Sequence, residues 1–182
     1  MPAPLILMQE EKINPSLGAN ALTGALIAGL IGLIAICVLM FFMYGLRKMF
    51  LTAIVLVVFM TILAGFIKIT DYALSLAGIA AIILSIGMAV DGNILMYERL
   101  REELKGGKSV EGAIDSARDR SWTAIRDGQL STGLIALLLF SLGMNIFKGF
   151  GAMMIVTLIL SLFVNVPLTR ILLHIFYDRK NK

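Results

Sequence analysis

Residues 75–97 read SLAGIAAIILSIGMAVDGNILMY, and how that run is taken decides the fold. It holds a single charged residue, Asp91, and no polar face of the kind a surface helix of a soluble domain carries. A bilayer core of about 30 Å takes about 20 apolar residues in helical form, because every backbone polar group must be satisfied within the segment. Outward from this run, four more stretches meet that length or come near it: 20–44, 48–68, 128–144 and 150–173. The whole chain of 182 residues is 59% hydrophobic and 15% charged, with a mean hydropathy of +0.92. That composition excludes an ordinary soluble domain. The expected fold class is therefore all-α, a polytopic membrane bundle of five transmembrane helices plus a short cytoplasmic amphipathic helix.

The charges lie in the gaps between apolar runs. Arg47 and Lys48 follow the first run, Arg99, Arg101, Lys105, Lys108, Arg118, Arg120 and Arg126 follow the third, and Arg170, Arg179, Lys180 and Lys182 close the fifth. The other side keeps Lys12, Lys68 and Lys148. The positive-inside rule then puts the N-terminus outside and the C-terminus in the cytoplasm. A net charge of +4 spread this way is a topology signal and predicts no nucleic-acid partner. Within the cytoplasmic loop 98–127, Ser109 suits an N-cap, Glu111 a first turn, and Val110, Ala113, Ile114 and Ala117 recur at helical spacing. They predict the amphipathic helix, anchored by Trp122 and lying on membrane lipid. Cys37 is the only cysteine, so no intrachain disulfide forms.

Asp91 is the candidate functional residue. An ionised carboxylate in hydrocarbon costs several kcal/mol unless it is paired, protonated or wetted, so such groups mark proton or ion paths. No Arg or Lys is expected at its depth, which assigns any cationic partner to another subunit. Asn93 is two residues on and points elsewhere around the helix. Asp127 opens a second polar patch, Asp127-Gly128-Gln129-Leu130-Ser131-Thr132, either as the N-cap of the fourth helix or as the inner mouth of a proton route. Asp91, Asn93 and Asp127 form the candidate proton-coupling set. Small residues predict packing seams: Ala21, Ala25, Ala28 and Gly32 on the first helix, and Gly78, Ala81, Ser85, Gly87 and Gly92 on the third. Pro167 predicts a kink in the last helix. There is no phosphate loop and no H-E-x-x-H, so no ATP or zinc chemistry, no cofactor and no metal are expected.

The run Ala89-Val90-Asp91-Gly92-Asn93-Ile94-Leu95-Met96-Tyr97-Glu98-Arg99-Leu100-Arg101-Glu102-Glu103-Leu104 resembles the A-V-D-A-N-V-L-I-F-E-R-I-R-E-E signature of the SecD family of protein-export membrane proteins. Pro2-Ala3-Pro4-Leu5, Pro15-Ser16-Leu17-Gly18-Ala19 and Ile146-Phe147-Lys148-Gly149-Phe150 resemble other family stretches in the same order. Asp127 to Thr132 resembles a D-A-N-x-T-T patch, with Gln129 in place of Asn and Ser131 in place of the first Thr. The resemblance implies a subunit that is not an enzyme, sits in the bacterial inner membrane, and works with SecF beside the SecYEG channel. There it would use the proton gradient to draw exported unfolded polypeptides across. Asp91 would be the membrane carboxylate and SecF would supply its countercharge. Residues 1–19 would be an extracytoplasmic tail, the end of a larger domain, and 20–182 the membrane domain. A chain without that larger domain, a fragment or one half of a split protein, is not expected to drive export alone. The alternatives are a resistance-nodulation-division exporter of small molecules or lipids, an Asp91–Asp127 protease dyad, and a purely structural role.

Overall fold

The computed structural model describes residues 15–178, so positions 1–14 of the expected 1–19 tail and the last basic residues lie outside the described residues. Among the described residues the chain is all-helical: α1 (Pro15–Ile69), α2 (Leu76–Lys105), α3 (Val110–Ser141), α4 (Asn145–Leu160), one π-helical turn (Ser161–Asn165) and α5 (Val166–Asp178).

Helix α1 is broken at Gly45, whose backbone sits at φ 79 and ψ 172. Glycine holds that left-handed conformation at little steric cost, whereas a Cβ would strain it. The helix doubles back there. Before the break, Gly29 lies beside Ile83 of α2, its Cβ position 3.8 Å from the Ile83 Cγ1, and the Tyr44 ring meets Tyr97 edge-on at 6.0 Å. The first arm thus runs parallel to α2. After the break, the Thr52 hydroxyl bonds that of Tyr97 at 3.1 Å, and the second arm ends at Ile69, just ahead of the start of α2. It therefore runs antiparallel to α2.

By length and composition, three stretches among the described residues can cross a membrane: Leu22–Ile69, Leu76–Lys105 and Asn145–Tyr177. That count differs from the expected five for two physical reasons. The first two expected spans are merged through Gly45. The expected amphipathic helix and fourth span are likewise one continuous helix, α3, whose charged first half dilutes the apolar second half. The N-cap of α3 is Ser109, which accepts from the Gly112 N–H at 3.3 Å, as its sequence position predicts. Asp127 caps nothing, because it stands in mid-helix.

The helices meet around α2. Ser75 caps it by accepting from the Gly78 N–H at 3.0 Å. Its core side carries Ala81, Ala89, Tyr97 and Leu100, packed with Phe59 and Leu56 of α1, Ile114 of α3, Met153 of α4 and Leu173 of α5. The small-residue seam on α2 faces α4: a Cβ on Gly78 would lie 3.2 Å from Met153. On α1 the predicted seam is met only in part, by the half-buried Ala25, one turn before Gly29. Ala28 is exposed and nothing lies near Gly32, while Gly29, Leu33, Ile36 and Met40 turn inward. Alanine and glycine spacing shows where a backbone could approach, not which side a neighbour takes. The outer surface carries many large apolar side chains, Phe42, Leu30, Val57, Leu134 and Phe163 among them, which suits a hydrocarbon surround.

Pro167 acts one turn earlier than itself. It cannot donate to the carbonyl four residues back, and its ring crowds that carbonyl. The ladder answers by widening into the π turn over Ser161–Asn165 before α5 resumes.

Candidate proton-coupling site

Asp91 lies fifteen residues into α2, about 22 Å along the helix from its start at the rise of an α-helix. Its side chain is exposed in this chain and forms no hydrogen bond or ion pair among the described residues. Leu76, Ala80 and Leu84 share its face and are exposed, and Gly87 on the same stripe has nothing within 4 Å of its Cβ position. The stripe is bounded on one side by the first arm of α1, through Ile83 and Gly29, and on the other by α3, through Gly92 and Ile125. Of the two glycines expected to pack helices, Gly92 does so, with Ile125 3.8 Å from its Cβ position, and Gly87 faces outward.

Asn93 points the opposite way, as its two-residue offset requires. It is buried, and its Oδ1 accepts from the Thr169 hydroxyl of α5 at 2.6 Å. The structure thus separates the candidate set: Asp91 belongs to an open face, Asn93 to the core. Asp127 stands apart from both. Its carboxylate accepts from Arg126 Nε at 3.1 Å and Nη2 at 3.0 Å. It is two residues from Ile125, so it projects from the side of α3 away from the α2 contact. No hydrogen bond joins Asp91 to Asp127, and a dyad sharing a proton is not assembled.

The expectation that no Arg or Lys lies at the depth of Asp91 is corrected. Because α3 continues unbroken and Ile125 packs on Gly92, Arg126 is level with Asp91. Its guanidinium is held by Asp127 instead.

The family described as "Protein export membrane protein SecD/SecF, C-terminal" matches residues 5–175. The chain belongs to that SecD/SecF family. Similar relatives are the protein translocase subunits SecD of Rickettsia felis, 39% identical over 97% of this chain and 34% of the relative, and of Haemophilus influenzae, 36% identical over 98% of this chain and 29% of the relative. The chain thus spans about a third of the length of the curated relatives it matches. A crystal structure of SecDF, a translocon-associated membrane protein from Thermus thermophilus, superposes with a TM-score of 0.88 at 32% identity, covering 92% of this chain and 23% of that one. A second crystal structure, of SecDF in a super-membrane-facing form, gives 0.79 at 31% identity over 87% of this chain and 22% of that one.

Inside this SecD/SecF-family bundle runs a polar column that the sequence reading missed. Ser85 bonds the Thr157 hydroxyl at 2.5 Å, Gln129 donates to Ser161 at 3.1 Å, Asn165 donates to Ser161 at 3.3 Å, and Thr169 donates to Asn93. The signal was available: Thr157, Ser161, Asn165 and Thr169 recur every fourth residue, one polar edge along an otherwise apolar segment. Three buried atoms of the column, Asn93 Nδ2, Gln129 Oε1 and Asn165 Oδ1, have no partner among the described residues. Of the family-like patch, Gln129 joins this column, whereas Ser131 and Thr132 bond back to the Asp127 and Gly128 carbonyls of their own helix.

In the charged first half of α3, Asp115 clamps α5. It accepts from Arg170 Nη2 at 2.8 Å and lies 3.3 Å from His174 Nε2. The hydrogen bonds from Arg170 first, then His174, hold the Asp115 carboxyl below its ordinary value of 3.8. His174 is a second partner in this clamp.

Proposed function

We propose that this chain is the membrane part of a SecD-type subunit of the protein-export machinery. It works with SecF beside SecYEG in a bacterial inner membrane and uses the proton gradient to assist translocation of unfolded polypeptides. One observation carries the reading: Asp91, an acidic group at membrane depth, stands unpaired among the described residues, in the middle of a face of α2 that none of the described helices covers. Such a carboxylate is costly in lipid, and a second protein bringing a cation to that face would both cover it and load or release its proton as the pairing changes.

The five-span topology belongs to the same proposal. The stretch Leu22–Ile69 is 48 residues long, about 70 Å as a straight helix, more than twice the hydrocarbon thickness, and it turns at Gly45. Each arm crosses once. The apolar half of α3 supplies a fourth crossing between α2 and the final span. Basic residues at Arg47, Lys105, Arg118 and Arg170 then share the cytoplasmic side, with the N-terminus outside.

The test is Asp91→Asn in the full assembly with SecF and SecYEG, with complex formation and gradient-dependent export both measured. The complex is expected to form and the gradient-dependent share of export to be lost. Unchanged export from an intact complex would refute coupling through Asp91.

A further inference from the structure

At the end of α2 remote from Ser75, a cavity of about 390 Å³ opens between the Gly45 turn, α2 and α5, its lining including Tyr44, Lys48, Arg101, Lys105 and Tyr177. Three cations therefore converge on one hollow. None of them is ion-paired among the described residues. The Lys48 ammonium rests 5.3 Å from the Tyr44 ring and 5.5 Å from the Tyr97 ring, a cation–π setting that fixes its position without neutralising it. The neighbouring acids are already engaged: Glu98 accepts from the Tyr44 hydroxyl at 3.4 Å, and Glu102 pairs with Arg99 at 2.8 Å.

Depth decides what kind of anion fits. Tyr97 is 21 residues beyond Leu76, about 31 Å along the helix, so Arg101 and Lys105 lie past the hydrocarbon, at headgroup level. On the same Gly45 hairpin, toward the bilayer centre, an apolar groove of about 340 Å³ is lined by Leu33, Ile34, Cys37, Phe41 and Met49. A basic hollow at headgroup depth on a hairpin whose first arm also carries an apolar groove matches a phosphate attached to an acyl chain.

We propose that this hollow binds an anionic phospholipid, its phosphodiester held by Lys48, Arg101 and Lys105 and one acyl chain laid along the Leu33–Phe41 groove. This site is separate from the Asp91 stripe and does not depend on the export reading. The lipid fastens the turn between the two arms of α1 to the end of α2, where Tyr44 and Tyr97 already meet.

Native mass spectrometry of the full chain in detergent, titrated with dioleoyl phosphatidylglycerol or dioleoyl phosphatidylcholine, tests it. The anionic lipid is expected to bind at least tenfold more tightly. Arg101→Gln and Lys105→Gln, both exposed side chains whose loss leaves the core intact, are each expected to weaken it about fivefold. Arg118→Gln, a cation elsewhere on the cytoplasmic side, should leave it unchanged. Equal affinity for the two lipids, or an equal loss with Arg118→Gln, overturns the proposal. So does displacement of the lipid by an equal concentration of inorganic phosphate, which would make the hollow a site for free phosphate.

Discussion

Asn93 and Asp91 show how much two positions on a helix can differ. They are neighbours in the sequence, both polar and both in an apolar run, yet one is sealed in the core and the other has no cover among the described residues. The two-residue offset already made that separation legible. The partner of Asn93 was not, because Thr169 is 76 positions away, and nothing local says which helix will face it. Thr169→Val should therefore expose the weakness of the column. It would leave both polar atoms of the Asn93 amide unpaired in a buried site, at a cost of about 1–3 kcal/mol, read as a lowered unfolding midpoint in detergent. Thr132→Val, whose hydroxyl only bonds its own helix at an exposed-to-half-buried position, should change the midpoint little. Arg126 supplies the other lesson at this scale. The sequence reading left it at the end of the loop 98–127, and only the continuity of α3 brings it level with Asp91.

Elements were read well where the signal was local and poorly where it depended on continuity. The Ser109 cap, the Pro167 distortion and the long apolar runs were all visible. The fusion of the amphipathic turn segment with the next apolar run was not, because Asp127 and Gly128 look like a helix start and are overridden by helical packing on both sides. Close approach of α3 and α4 is similarly a tertiary fact. A Cβ on Gly151 would fall 2.6 Å from the Ala136 carbonyl oxygen and 2.8 Å from the Phe140 nitrogen, both backbone atoms that cannot swing aside. Gly151→Ala should thus push the two helices apart and cost about 1–3 kcal/mol or more, whereas Gly32→Ala, with open space around it, should be nearly silent in the same unfolding measurement.

The α3–α5 clamp makes a prediction in pH. Asp115 has a folded pKa held below its ordinary 3.8, so its contribution is complete above that range and fades as pH falls through the lower, folded value. Being half-exposed, the bridge contributes about 1 kcal/mol or less. Amide exchange in α5 should speed up relative to α4 when the pH is lowered below that range, after correction for the intrinsic rate. In Asp115→Asn that relative change should vanish.

For the whole molecule, membership of the SecD/SecF family and the superposition on SecDF fix what kind of bundle this is, and the chain itself indicates where that bundle is unfinished. The faces of α2 toward α1, α3, α4 and α5 are occupied by Tyr97, Gly92, Ser85 and Asn93, and the remaining stripe carries Asp91. Composition foretold a membrane bundle, and charge spacing the charged segment between α2 and the apolar half of α3. They could not identify the uncovered stripe, since exposure to lipid and exposure to a partner select the same apolar residues, Leu76 and Leu84 here.

That stripe is where one measurement bears most directly on function. With Cys37 replaced by alanine, a single cysteine at Leu84, one face with Asp91, is compared with one at Ile171 on the outer side of α5, each against a cysteine scan of SecF in native membranes. Disulfide formation with SecF from position 84 and none from position 171 is the expected result. Cross-linking from position 171 alone, with position 84 reacting only with lipid-phase reagents, would leave Asp91 without a protein partner and contradict proton coupling across that face.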